Sequence, residues 1–319
     1  MTFRWLAVTA LLLSAPAFAQ TYPSRPLRML VGFAPGGAND IVARVFAQRL
    51  TEELGQSVVV ENRPGNAGLI GADVVAKAAP DGTTLFLGST GTNAIAPSLT
   101  TKMPYDPVTG LAPVSLVGST PSCLVVNANV PAQSVRELVA LAKARPGRLT
   151  YASSGNGTTL HLGGELFKLI AGVDLVHVPY KGNAPALADV IGGQVDMIFS
   201  ALPPALPLAK AGKLRILGVP ALERLASAPD LPTVAEQGLP GFEIGTWYGV
   251  FATGGSPPEA IERLAGALRK AVADAKVREQ MAAQGIDPAS STPAEFRAFV
   301  GSEMAKWAKV VKAAGIKAD

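Results

Sequence analysis

Cysteine is almost absent: the chain of 319 residues holds one, Cys123. A single thiol cannot close an intramolecular disulfide, so the fold must rest on burial alone. Set in the apolar run CLVV, Cys123 reads as a buried, inert thiol rather than a nucleophile. Histidine is nearly as scarce, with only His161 and His177. No H-E-x-x-H stretch and no Cys/His pair of metal-ligand spacing exists, so the sequence gives no reason to expect a metal or a cofactor. G-x-S-x-G is missing, no G-K-[ST] follows a glycine run, and GNGTTL lacks the third glycine of a dinucleotide fingerprint. Nucleotide phosphate is therefore disfavoured. Basic residues are scattered, with no cluster and no interleaved aromatics, which argues against nucleic acid. Beyond the first residues no segment is long and apolar enough to cross a bilayer, so the mature chain is not expected to insert into a membrane.

The N-terminus is the exception to that apolar poverty. Arg4, the run Leu6 to Leu13 and Ala17-Phe18-Ala19 make the charged, apolar and A-x-A parts of a secretory signal peptide. The apolar run is too short for a membrane anchor, and Cys123 is too distant to serve a lipid-anchored leader. Cleavage is expected after Ala19, with export of the mature chain. Without Arg4 the mature chain has 27 basic and 24 acidic residues, a mild positive bias suited to a small anion. Its roughly 300 residues exceed one ordinary core and suit two domains.

Glycine and proline, 33 and 26 of them, fall between periodic segments. LRMLVGF, SVVVEN and TTLFLGS read as strands separated by amphipathic helices, an order that predicts a parallel sheet covered on both faces. CLVVNA begins a second set of the same kind. After FEIGTWYGVFAT the pattern is purely helical, and those helices are expected to cover the first domain. The chain would then cross between domains near 119–122 and near 243–248. The expected organisation is α/β, with residues 20–121 plus 245–319 in one domain and 122–244 in the other. Two lobes joined by two extended segments form a hinged clamp whose cleft is the default ligand site.

Three glycine-rich turns join strands to helices: Pro35-Gly36-Gly37, Pro64 to Gly68 and Ser153 to Thr158. Such turns at the carboxyl ends of strands present backbone N–H groups and helix N-termini, which favour a carboxylate or phosphate. Asp40 near the start of the first helix either caps and braces its loop or meets the ligand. His161 falls in the first turn of its helix, where it either points to the cleft or serves the fold. His177, inside LVHVPY, reads as core.

The segments YPSRPLRMLVGFAPGGANDIVAR, VVVENRPGNAGLIGADVVAKAAPDGTTLFLG, LTYASSGNGTTLHLGGELF, VHVPYKGNAPALADVIGGQVDMIFS and APDLPTVAEQGLPGFE resemble the Bug/TctC family. These are periplasmic substrate-binding proteins of tripartite tricarboxylate transporters, and the resemblance spans nearly the whole mature chain in order. It implies the periplasm and a two-lobed Venus-flytrap of the type II periplasmic-binding class, without cofactor or metal. It implies a small carboxylate ligand: a di- or tricarboxylate, an acidic amino acid or an aromatic acid such as nicotinate. In the family one ligand carboxylate is held by backbone amides and two ordered waters. Carried onto this chain, the candidate contacts are Phe33, Gly36, Gly37, Ala67, Ser154, Gly157, Thr158 and His161. Ala34, Asp40, Gly68, Ser89 and Gly155 stand beside them on the same turns and strand ends. Ser200 marks a departure, because the family often carries Asp there to pair with a ligand amino group. The partner implied is the membrane permease of such a transporter, with a monomeric binding protein. Two other readings keep the same sequence: a ligand sensor for a membrane sensor kinase, and a secreted hydrolase using Ser154 and His161.

Overall fold

The computed structural model describes residues 22–180, 182–225 and 228–316; the leader expected at 1–19 lies outside them. The chain opens with β1 (Leu27–Val31), α1 (Ala38–Leu54), β2 (Val58–Asn62), α2 (Leu69–Ala76) and β3 (Thr84–Ser89). β1 pairs in parallel with both β2 and β3, as the alternating strand–helix order predicts. A short π-helical turn and α3 (Ala96–Leu99) then lead to β4 (Leu111–Asn127), which is one continuous strand.

Next come α4 (Val135–Ala144), β5 (Thr150–Ser153), α5 (Thr159–Ala171), β6 (Val176–Pro179), α6 (Asn183–Ile191), β7 (Met197–Ala201), α7 (Leu202–Lys210) and β8 (Leu214–Gly218). The return runs through β9 (Gly245–Thr253), α8 (Pro258–Ala273), α9 (Ala275–Ala283), β10 (Asp287–Pro288) and α10 (Pro293–Ala314). The strand path is β2-β1-β3-β9-β4-β7-β5-β6, with β8 and β10 also on β4. β4 pairs with β9 from Leu111 to Pro121 and with β7 from Ser122 to Val126, so one strand serves both halves of the path.

The central strands β1, β3, β7 and β9 are largely buried on both faces, which is why they read as unbroken apolar runs. Leu27, Met29 and Val31 pack under α1 and α8, while Leu30 and Phe86 face the other way. In the second half, Cys123 and Val125 pack with Ile198 beneath α6, and Leu124 and Val126 turn to Tyr151 and Phe199. Burial pushes the Cys123 thiol well above its ordinary pKa, which disfavours the thiolate.

Two expectations are corrected. The sheet is mixed rather than parallel, because β9 enters antiparallel between β3 and β4. The C-terminal helices also do more than cover the first half. α8 packs on α1, but α10 packs against both β4 and α5, and its Phe296, Trp307 and Val310 share one core with Phe167 and Phe199. α10 starts firmly: Thr292 and Glu295 form a reciprocal capping box and Pro293 stands in the first turn. Buried Glu303 accepts from the indole N–H groups of Trp247 on β9 and Trp307 on α10, both at 3.1 Å, and pairs with Lys306.

The seat of α10 depends on a glycine of β9. Gly88 on β3 pairs with Gly249 on β9, and a Cβ on Gly249 would overlap the fully buried Phe296 ring. Gly249→Val should therefore lower stability by about 1–3 kcal/mol through overpacking. Gly266→Ala, on α8 with open space around it, should be neutral or stabilising by up to about 1 kcal/mol. Urea midpoints at unchanged slope check both, and an undiminished midpoint for Gly249→Val would show that the seat is not tight.

Candidate functional site

A cleft of about 760 Å³ lies where the two halves of the strand path face each other. From the first half it takes Phe33, Asn39, Asn66, Ala67 and Ser89, then the π-helical turn and α3 with Ile95, Ala96, Leu99 and Thr100. The second half contributes Asn156 to Thr159, His161 and His177, and Thr246 and Ile316 complete the lining. Of the residues expected from sequence, Phe33, Ala67, Ser89, Gly157, Thr158 and His161 are brought together here.

The others hold the frame instead of lining it. Asp40 is 3% exposed and accepts from Gly36 N–H, Arg44 Nε and Asn62 Nδ2, each at 2.9 Å. Burial alone would raise its pKa, but those hydrogen bonds and the Arg44 charge outweigh it and hold the carboxyl below its usual range. Asn62 also donates to the Phe33 carbonyl at 3.0 Å, so this one carboxylate fixes the whole 33–37 loop. Gly36 is needed there for its φ of +84°. Its amide is engaged by Asp40, which corrects the expectation that it reaches a ligand. Gly37 caps α1 with an extended backbone any residue adopts, and Ala34, Gly36 and Gly37 lie outside the lining.

Gly68 is buried at φ +89° against Thr92 and Gly32, a close approach of backbones rather than a contact surface. Gly155 donates to Ser153 Oγ at 3.2 Å and its carbonyl accepts from the Thr158 hydroxyl at 2.8 Å. That hydroxyl also caps α5 by accepting from His161 N–H at 3.3 Å, so it is engaged within the protein. Ser154 lies outside the lining. Ser200 is fully buried on β7, accepting from Asn183 and donating to the Ala201 carbonyl, both at 3.0 Å. The idea that its hydroxyl replaces an acid facing the ligand loses its geometric basis.

His177 is corrected in the opposite direction: it is not core but part of the cleft wall. Its ring lies parallel to that of His161, with centroids 4.0 Å apart, and against Tyr151 on its other side. Its Nε2 shares a 2.7 Å hydrogen bond with buried Ser153. His161 Nδ1 accepts from Gly157 N–H at 3.0 Å, which fixes the neutral tautomer with the hydrogen on Nε2. Nε2 has no hydrogen-bond partner among the described residues and is available to the cleft. Ser154 and His161, the pair a hydrolase would need, make no hydrogen bond to each other there.

The donors left for a ligand are then countable. Lining residues whose backbone amide has no intramolecular partner among the described residues include Phe33, Asn39, Asn66, Ala67, Asn156 and Thr159. Two belong to the first turns of α1 and α5; at α5 the orphan N–H groups and the helix dipole favour an anion, whereas the start of α1 already faces the Asp40 carboxylate. Ala67 stands at φ +52°, between Asn66 at +48° and Gly68. Its carbonyl is held by the Thr92 hydroxyl at 2.7 Å, so the orientation of this peptide segment is fixed. No Arg, Lys, Asp or Glu lines the cleft among the described residues.

Comparison with known proteins follows this geometry. The sequence model described as tripartite tricarboxylate transporter family receptor matches residues 42–316. Protein BugT of Bordetella pertussis is 41% identical, over 96% of this chain and 94% of its own length. An R. palustris protein solved with adipate is 38% identical, with a TM-score of 0.76, over 93% of this chain and all of that one. MatC from Rhodopseudomonas palustris, with bound malate, is 33% identical, with a TM-score of 0.71, over 91% of this chain and all of that one. The architecture is thus the two-lobed α/β fold of periplasmic binding proteins.

Burial keeps both histidines neutral: it lowers the pKa of His161, and it lowers His177, beside His161, to about 4. The unfolded chain titrates near 6.5 and takes up these protons first. Stability should therefore fall as pH drops from about 6.5 toward 4. His177→Phe, which keeps a ring in the stack, should lose up to one proton of that dependence. Urea midpoints at pH 7 and pH 4.5 for both proteins measure it, and an unchanged pH slope in the variant contradicts the assignment.

Proposed function

The chain belongs to the tripartite tricarboxylate transporter receptor family, the Bug/TctC periplasmic solute-binding proteins, and from that premise we propose that its cleft captures a small carboxylate and passes it to the membrane permease of such a transporter. Membership implies the periplasm, and no helix among the described residues is long and apolar enough to cross a membrane. In this reading the leader is removed after Ala19. The lobes are residues 20–121 with 245–319, and 122–244. The change of partner along β4 after Pro121 and the start of β9 at Gly245 support those limits. Hinge rotation about these strands closes the cleft on its ligand, as in other two-lobed clamps.

One observation carries the proposal: unpartnered backbone amides and the His161 Nε2–H line one cleft that holds no cation among the described residues. Fixed N–H donors recognise a carboxylate strongly because each hydrogen bond is charge-assisted. The adipate and malate bound by two relatives belong to the same ligand class.

The test is a thermal-shift series on the mature protein at pH 7.5 with malate, adipate, citrate and benzoate, each beside its amide. A ligand that binds only the folded state raises the midpoint by mass action. At least one acid should shift it and the matching amide should not. His161→Phe removes one donor and should weaken that acid about 10- to 100-fold, since a hydrogen bond to a charged group contributes about 1.5–3 kcal/mol. Equal response to acid and amide, or wild-type affinity in a folded His161→Phe, would overturn the proposal.

A further inference from the structure

The charge of the cleft and the chemistry of its far wall together restrict the ligand more narrowly than family membership does. The anion-binding groups cluster at the start of α5 and in the left-handed turn at Ala67. Immediately beside them stands Leu99, whose Cδ1 would lie 3.0 Å from a Cβ on Gly157. Leu99 therefore comes from the first half of the chain to touch the anion-binding turn of the second. Ile95, Ala96 and Ile316 continue the apolar wall from there, and Phe33 faces the cleft from the 33–37 loop. Whatever is attached to a carboxylate held at this turn meets carbon first.

The supply of positive charge points the same way. A helix N-terminus offers roughly half an elementary charge. That of α5 is open to the cleft, but that of α1 already faces the buried Asp40 carboxylate, whose Arg44 partner is half exposed and points out of the lining. A second carboxylate would meet no cation among the described residues. It would give up water to face Ile95, Leu99 and Ile316. Asn39, Asn66 and Thr246 can accept or donate hydrogen bonds to a neutral polar substituent, but they supply no net charge.

We propose that the cleft selects a monocarboxylate with an apolar, uncharged body and discriminates against di- and tricarboxylates. This rests on the carboxylate reading above and sharpens it.

Two matched pairs test the proposal by titration calorimetry on the mature protein: hexanoate against adipate, and benzoate against terephthalate. In at least one pair the monoacid should bind ten times or more tighter than the diacid. Leu99→Lys places a cation in the apolar wall and should move that ratio at least tenfold toward the diacid. Leu99→Met, which keeps the wall apolar, should leave the ratio unchanged. Ile316→Lys is the second site should Leu99→Lys fail to fold. Diacids that bind as tightly as their monoacids in both pairs, or a lysine variant with an unmoved ratio, overturn this inference and leave the carboxylate reading standing. Failure of all four acids, with binding of citrate or malate, does the same. Binding of hexanamide or benzamide as tight as that of the acids overturns both.

Discussion

The pairing of β4 with β9 is the constraint on which the other features depend. Eleven residues of β4 run against β9, from Leu111 opposite Thr253 to Pro121 opposite Gly245, and the strand then continues into the second half on β7 and β8. The halves are therefore joined through a hydrogen-bonded ribbon rather than a loose linker. The ladder stops where Pro121 has no N–H to give. At that point Thr90 substitutes for a strand partner: its hydroxyl accepts from Trp247 N–H at 2.9 Å and donates to the Gly245 carbonyl at 3.2 Å. The next residue, Thr246, already lines the cleft, so the floor of the site is set by the end of the ribbon. Glu303 holds the outer side of the same place through two indoles, tying α10 to β9. Any relative motion of the halves has to occur within these ties.

Much of this frame was legible because its signals are local. Apolar runs bounded by glycine and proline gave β1 to β3 close to their observed limits, and CLVVNA marked the second half of β4. The first half of β4 was not legible. Residues 111–121 contain Pro113 and Pro121 and change register twice against β9, so neither a clean alternation nor a turn marks them. The antiparallel entry of β9 was hidden for another reason. Apolar strands buried on both faces look alike whatever the direction of their neighbours. The double duty of α10 likewise depends on which elements meet in space, and its sequence shows only that one broad face is apolar.

The site divides along the same line. Glycine-rich turns identified where bare backbone meets the cleft, but not which amides remain for a ligand. Gly36 and Gly157 look like donors in sequence, yet their N–H groups go to Asp40 and to His161 Nδ1. Both acceptors lie four residues downstream, on the first turn of the following helix. The amides left over belong to less conspicuous neighbours, Asn39, Asn156 and Thr159. His177 was misread because its flanking residues are apolar, but β6 is the last strand of its path. A residue at that edge turns toward the cleft and stacks on His161. For Ile95, Ala96 and Leu99 the sequence carries no signal at all, since a π-helical turn followed by a four-residue helix has no readable period.

These divisions explain how one frame can serve different ligands. Asn66 and Ala67 hold left-handed backbone without being glycine, a strain of the order of 1–3 kcal/mol for each such residue. It persists because Thr92 fixes the Ala67 carbonyl, and because Gly32 and Gly68 let the two chain segments touch. The frame that aims the amides is thus built from buried contacts that cannot change singly without releasing the turn. The apolar wall is different: Leu99 and Ile316 are only partly buried, and neither makes a hydrogen bond that shapes the turn. In the proposed reading, substitution there changes chiefly what can be attached to the carboxylate. On the proposed function, recognition of the acid group and choice of its substituent are therefore separable, the first set by backbone and the second open to single side chains.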